Sequence, residues 1–230
     1  VTFVVPVPVL VPVADLEPLD AAVERRPVDG ADYHDVDESI PVGIGDVART
    51  DQSGFGEVRY FDGSFTRIDV DTSFEVIELN DDPAAPTVRA SLDIGRTWHR
   101  VQDLAGTDGS FVIETAVASA AVRGTAFSVV CLVADVCSFA VAEGDVRVTT
   151  NAGTVVDLTE GDGVLVSATD LLPATPEIED VQPLAIGSLG LAEDEWISRN
   201  AGLDQTRGDF PALASLAERT IDISGTYDLS

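Results

Sequence analysis

Gly56-Glu57-Val58-Arg59-Tyr60-Phe61, then Asp62-Gly63-Ser64, then Phe65-Thr66-Arg67-Ile68-Asp69-Val70: this run decides the fold. Val58 and Tyr60 alternate with Glu57 and Arg59, and Ile68 and Val70 alternate with Arg67 and Asp69, the period of two of a β-strand. The Asp-Gly-Ser step between the runs is a turn signal. The same unit recurs at intervals near ten residues, over 74–79, 87–92, 111–115, 126–130, 138–141 and 145–148. Turns at 81–83, 108–109, 143–145, 151–153 and 161–163 separate these runs. Short strands at even spacing predict a mainly β body, built as an irregular β-solenoid or β-helix or as a sandwich.

Upstream lies a different pattern. Val1, Phe3, Val5, Val7, Val9, Val11 and Val13 form an unbroken apolar row, while Pro6, Pro8 and Pro12 fall on even positions. In an extended strand every missing N–H is then on one side, so the segment pairs along one edge alone. It reads as a donor-type strand that packs either on its own domain or into a neighbouring molecule. Thirteen apolar residues are too few for a membrane-spanning helix, and no basic residues precede them as in a signal peptide. Residues 15–41 read as an acidic connector, with a solvated linker favoured over a calcium site.

The chain carries 41 acidic residues, 13 Arg and no Lys, for a formal charge of −28. Nucleic acid and anionic membranes would be repelled, which leaves basic protein surfaces and weakly bound cations as allowed partners. Schiff-base and Lys-base chemistry are excluded. Methionine is absent even at position 1, which reads as a processed or truncated, exported product. Cys131 and Cys137 fall opposite one another across a hairpin centred near Ala134. That geometry and an exported context predict a disulfide, with buried free thiols as the alternative. No zinc-ligand spacing is present.

Downstream the periodicity changes. A Pro-rich hinge over 172–183 precedes a short helix over 192–201, with Trp196 and Ile197 on its apolar side and Gly202 as its stop. A second helix is expected over 210–219 and a strand over 220–229. The domain reading is therefore an N-terminal strand (1–14), a connector (15–41), a β domain (42–170), and a hinge with a two-helix cap and terminal strand (171–230).

The order of motifs resembles the periplasmic domain of FecR-type regulators. Its pattern is met by Gly45-Asp46-Val47-Ala48-Arg49-Thr50, by the Asp62-Gly63-Ser64 turn, and by Leu92-Asp93-Ile94-Gly95 read as a hairpin. It continues in Phe111-Val112-Ile113-Glu114-Thr115, Ala121-Val122-Arg123-Gly124-Thr125-Ala126-Phe127, Val141-Ala142-Glu143-Gly144-Asp145-Val146-Arg147-Val148, and Glu160-Gly161-Asp162-Gly163. Coverage is about residues 42–167. The resemblance implies a twisted solenoid-like body in which Gly124 allows close approach of neighbouring strands and Gly144 takes a positive-φ turn. Both glycines are equally compatible with ordinary hairpins.

No catalytic constellation stands out. Two histidines are too few for a His-based metal centre, and paired carboxylates are too common to mark a glycosidase site. The expectation is a non-enzyme without metal or cofactor. Two functional readings follow. In the first, the chain is an extracellular subunit that polymerises head to tail, its N-terminal strand added to the next subunit's β domain, so that identical subunits are its partners. The alternative is a monomeric envelope sensor, regulatory or ligand-binding module of the FecR family.

Overall fold

A computed structural model describes residues 14–20, 22–133, 136–168, 184–185, 191–207 and 210. In chain order the first strands are β1 (Ala14–Asp20), β2 (Val23–Arg26), β3 (His34–Asp35), β4 (Ile40–Val42), β5 (Val47–Thr50) and β6 (Phe55–Tyr60). They are followed by β7 (Phe65–Ile68), β8 (Ser73–Asn80), β9 (Thr87–Arg100), β10 (Ser110–Glu114), β11 (Ala118–Val122) and β12 (Ala126–Val133). Then come β13 (Val136–Glu143), β14 (Asp145–Thr150), β15 (Val155–Thr159), β16 (Asp162–Ser167), β17 (Leu184–Ala185) and helix α1 (Leu191–Arg207). The chain is mainly β, with a single helix among the described residues.

The hydrogen bonds fall into two sets joined through β9. The first layer runs β4-β1-β6-β7-β9-β12-β13-β16-β17. The second runs β3-β2-β5-β8-β9-β10-β11-β14-β15. Among the described residues neither closes on itself, and every pairing is antiparallel except β9 with β10.

β9 belongs to both layers because it bends at Gly95. Its first half pairs with β8 and β10, and its second half with β7 and β12. Gly95 has φ +107°, and a Cβ there would collide with Thr72. Only glycine turns this corner without strain. The 92–95 motif is thus a bend inside one long strand, where the sequence suggested a hairpin.

Between the layers lies the main core. Leu16, Ile68, Phe127 and Phe139 from the first layer meet Phe74, Leu92, Phe111 and Leu158 from the second, all at most 1% exposed. Each such side chain contributes about 1.5–3 kcal/mol by leaving water. Residues 15–41 are not a solvated connector. Ala14 and Leu16 are buried while Asp15 faces out, so β1 carries a period-two pattern that its acidic neighbours disguise. Val23 and Val36 add to the same core.

The first layer carries buried apolar side chains on its outer face as well. Phe55, Phe65, Trp98, Ala126, Ala140 and Ala142 form a second cluster, covered by Trp196, Ile197 and Ala201 of α1. The helix does not stop at Gly202 but continues to Arg207. Glycine inside a helix costs about 1 kcal/mol. Here that cost is offset because Leu203 and Asp204, which directly follow the glycine, also dock on the sheet. The second expected helix and the terminal strand lie outside the described residues, apart from Phe210, which packs edge-on against Phe65.

Candidate functional site

Strand alternation sends consecutive residues of β7 and β9 to opposite faces of the first layer, and each face carries a buried polar system. On the inner side Thr66 pairs with His99 in register. Tyr60 Oη lies 3.0 Å from Thr66 Oγ1, which lies 2.9 Å from His99 Nδ1; His99 Nε2 lies 2.8 Å from Thr97 Oγ1. Thr97 donates to the Val129 carbonyl at 3.3 Å. That carbonyl only accepts, so the directions propagate back along the chain: His99 Nε2–H donates to Thr97, Thr66 donates to Nδ1, and Tyr60 donates to Thr66. His99 is wholly buried and stacked on Phe127 at 4.5 Å. Burial holds its pKa down at about 3, so the ring is neutral.

The outer side is ionic. Arg67, with no solvent exposure, donates from Nε to Glu57 at 2.9 Å and from Nη1 to Asp204 of α1 at 2.6 Å. Nη1 also donates to the Asn200 carbonyl at 3.1 Å. Asp204 accepts from Trp98 Nε1 at 3.2 Å and lies 3.6 Å from Arg100 Nε. Arg100 Nη1 reaches Glu143 at 2.7 Å. Around the rim Arg207 pairs with Glu17 at 2.9 Å, and Arg199 stands 3.5 Å from Asp69 while lying over Phe55. Burial raises the Asp204 carboxyl pKa, against the opposing pull of Arg67, Arg100 and the Trp98 donor.

A cavity of about 460 Å³ opens beside this seam, bounded by Glu17, Leu19, Phe55, Arg199 and Leu203. A second, of about 590 Å³, lies at one end of the second layer and is lined by Arg123, Gly124, Gly144 and Asp145.

The motif turns fall into place around that end. Asp62 accepts from the Ser64 amide and hydroxyl at 2.8 and 2.9 Å, closing the turn that carries Gly63. Gly124-Thr125 and Glu143-Gly144 come together: Gly144 has φ +82°, and a Cβ on it would lie 2.8 Å from the Gly124 carbonyl. Thr125 Oγ1 donates to the Asp145 carbonyl at 3.0 Å. Cys131 and Cys137 are joined by a disulfide across the β12–β13 hairpin.

The candidate strand positions Val1, Phe3, Val5, Val7, Val9, Val11 and Val13 lie outside the described residues. Among the described residues no group of three or more His, Cys, Asp or Glu is arranged to hold a metal ion. Nor is any described helix long and apolar enough to cross a membrane. Trp98 and Trp196 are both buried.

Sequence reasoning missed the Arg67–Asp204 centre. Its one local signal is an arginine inside the short run Phe65–Ile68, which is buried throughout. The partner lies 137 residues further along the chain, out of reach of any pattern.

Comparison with known proteins bears on what this arrangement is for. Residues 46–147 match the family described as FecR protein. Two crystal structures of a Parabacteroides distasonis ATCC 8503 protein, assigned as an anti-sigma factor, are similar at 19% identity with a TM-score of 0.46. That similarity covers 54% of this chain and 56% of the other, so it spans little more than half of the solved protein. No curated protein matches the chain. The family match overturns the head-to-tail filament built by strand donation, and with it the partnership of identical subunits.

Proposed function

We propose that this chain, whose residues 46–147 belong to the FecR family, is a monomeric regulatory or ligand-binding module of the cell envelope, with no catalytic chemistry of its own. The family match carries this reading. It covers β5 to β13, the strands that supply most of the main core and most of the sheet beneath α1. Of the finer architectures, a two-layered sandwich suits the pairings better than a solenoid, because stacked solenoid rungs pair in parallel and only β9–β10 does so among the described residues. The acidic, Lys-free surface and the Cys131–Cys137 disulfide fit an exported location.

An in-frame chromosomal deletion of residues 46–147 tests the reading. A confined set of transcripts should change in the deletion strain, and an unchanged transcript profile under envelope stress would end the proposal. Light scattering of the purified chain should give a 24.2 kDa species over a hundredfold range of concentration.

A further inference from the structure

The cavity of about 590 Å³ on the second layer has its origin in strand alternation and one small residue. Val122, Val146 and Leu158 turn into the core, which leaves Ala121, Arg123, Asp145, Arg147 and Asp157 exposed on the outer face. Ala121 lies between Val112 of β10 and Arg147 of β14. Its methyl group is too short to fill the space between those longer neighbours, and a hollow remains.

The charges around the hollow are not equivalent. Arg147 is spent on Asp157, with two hydrogen bonds of 2.7 and 3.0 Å. Arg123 makes no hydrogen bond, ion pair or ring contact with any described residue. Every other described arginine reaches a carboxylate or an aromatic ring. With 41 acidic residues against 13 arginines, an open guanidinium is the exception that composition does not predict. The register that pairs Val122 with Val146 sets Arg123 and Asp145 side by side at the ends of β11 and β14. No ion pair joins them, so two opposite charges border one hollow with their bonding capacity unspent.

The field of the whole chain narrows what can bind there. At a charge of −28 a free anion is repelled, and a free cation is attracted everywhere, so neither finds a selective site in this hollow. A ligand with one charge of each sign escapes both effects. We infer that the hollow binds a small zwitterion with a compact aliphatic body, a free α-amino acid or a short peptide. Arg123 takes the carboxylate in a bidentate pair, Asp145 accepts from the ammonium, and the aliphatic part lies over Ala121. Both charged residues fall within the family-matched residues 46–147.

The inference gives the ligand-binding part of the proposed reading a chemistry, and rests on that reading only for its use in the cell. Binding without any transcript response would end the regulatory role and leave the site standing. Calorimetric titration of the full chain at low ionic strength uses L-valine and L-alanyl-L-alanine as probes. At least one should bind with a Kd of about 1 mM or tighter, and the tighter of the two distinguishes a free amino acid from a peptide. Its N-acetylated form, without the ammonium, and its C-amidated form, without the carboxylate, should each bind about tenfold more weakly. Arg123→Gln and Asp145→Asn should each lower affinity about tenfold as well. Arg26→Gln removes the same charge from β2, on the opposite side of the second layer, and should leave affinity unchanged. Failure of both probes to bind overturns the inference. So does equal binding of a blocked form, or an Arg123→Gln chain that binds as the wild type does. An equal loss in Arg26→Gln would reduce the effect to the field of the whole chain and overturn it too. If a variant does not fold, the blocked probes on the wild-type chain decide the matter.

Discussion

Thr66 and Arg67 are neighbours in sequence, and so are His99 and Arg100, yet the members of each pair inhabit different chemistry. On the inner face of the first layer Thr66 and His99 belong to a neutral, directional chain of hydrogen bonds from Tyr60 to the Val129 carbonyl. On the outer face Arg67 and Arg100 belong to an ionic layer that clamps α1. Both systems are buried, so exposure does not distinguish them. The difference is locality. The inner chain is built within the sheet and has its hydrogen-bond roles fixed by one carbonyl. The outer layer spans two elements far apart in sequence and holds only while both are in place.

Acid should break the inner system. His99 has its pKa lowered by burial from 6.5 to about 3. An unfolded chain takes up that proton below 6.5 and the native chain does not until about 3, so stability is full above 6.5 and is lost progressively between the two values. By pH 4 the loss amounts to about 3 kcal/mol. Urea titrations at pH 7 and pH 4, on the wild type and on His99→Gln, measure it as the extra loss in the wild type. Equal losses would place the acid sensitivity elsewhere.

In the outer layer, Arg67→Leu leaves Glu57 and Asp204 without their shared cation. Breaking a buried pair in this way costs about 3–5 kcal/mol. Tryptophan fluorescence should respond earlier in urea than the circular dichroism of the sheet, since Trp196 leaves its pocket when α1 is released. Thr66→Val, one residue away, should cost about 1–2 kcal/mol and move both signals together. Coincident transitions in the arginine variant would mean that the two faces form one cooperative unit.

Reduction of Cys131–Cys137 should have a smaller effect on both faces alike. A disulfide closing so short a loop stabilises by about 2 kcal/mol, and the urea midpoint in dithiothreitol reads the difference. Arg147→Ala should have the least effect of all. It removes an ion pair with Asp157 in which both side chains are 63% exposed, and solvent screens such a pair until the midpoint does not move measurably.

Much of the fold was legible in the residues. Alternation and turn chemistry over 55–70, 73–80 and 87–92 mark the strands, and the spaced motifs mark the FecR domain. Two misreadings have the same cause. β1 looked like a linker because Asp15, Glu17 and Asp20 mask the alternation of Ala14 and Leu16. Gly95 looked like a hairpin glycine because a bend within a strand leaves the same local mark as a turn between two. In each case the backbone's partner, not its composition, sets the outcome.

The candidate site was far less legible. Trp196 and Ile197 announce an apolar helix side, but nothing near them indicates that the surface receiving it contains Arg67 and Arg100. An arginine in a strand reads as an outward, solvated residue unless something covers the outer face. Here α1 does, and Asp204 arrives with it.

From its sequence alone this protein is a strand-rich, acidic chain with a FecR motif order, because alternation, turn residues and charge are local properties written in consecutive positions. Tertiary structure decided that β9 would serve two layers, that His99 would be neutral, and that Arg67 would be buried opposite Asp204. Those outcomes depend on which distant segment excludes water from each side chain, and desolvation belongs to the assembled surface, not to any window of residues.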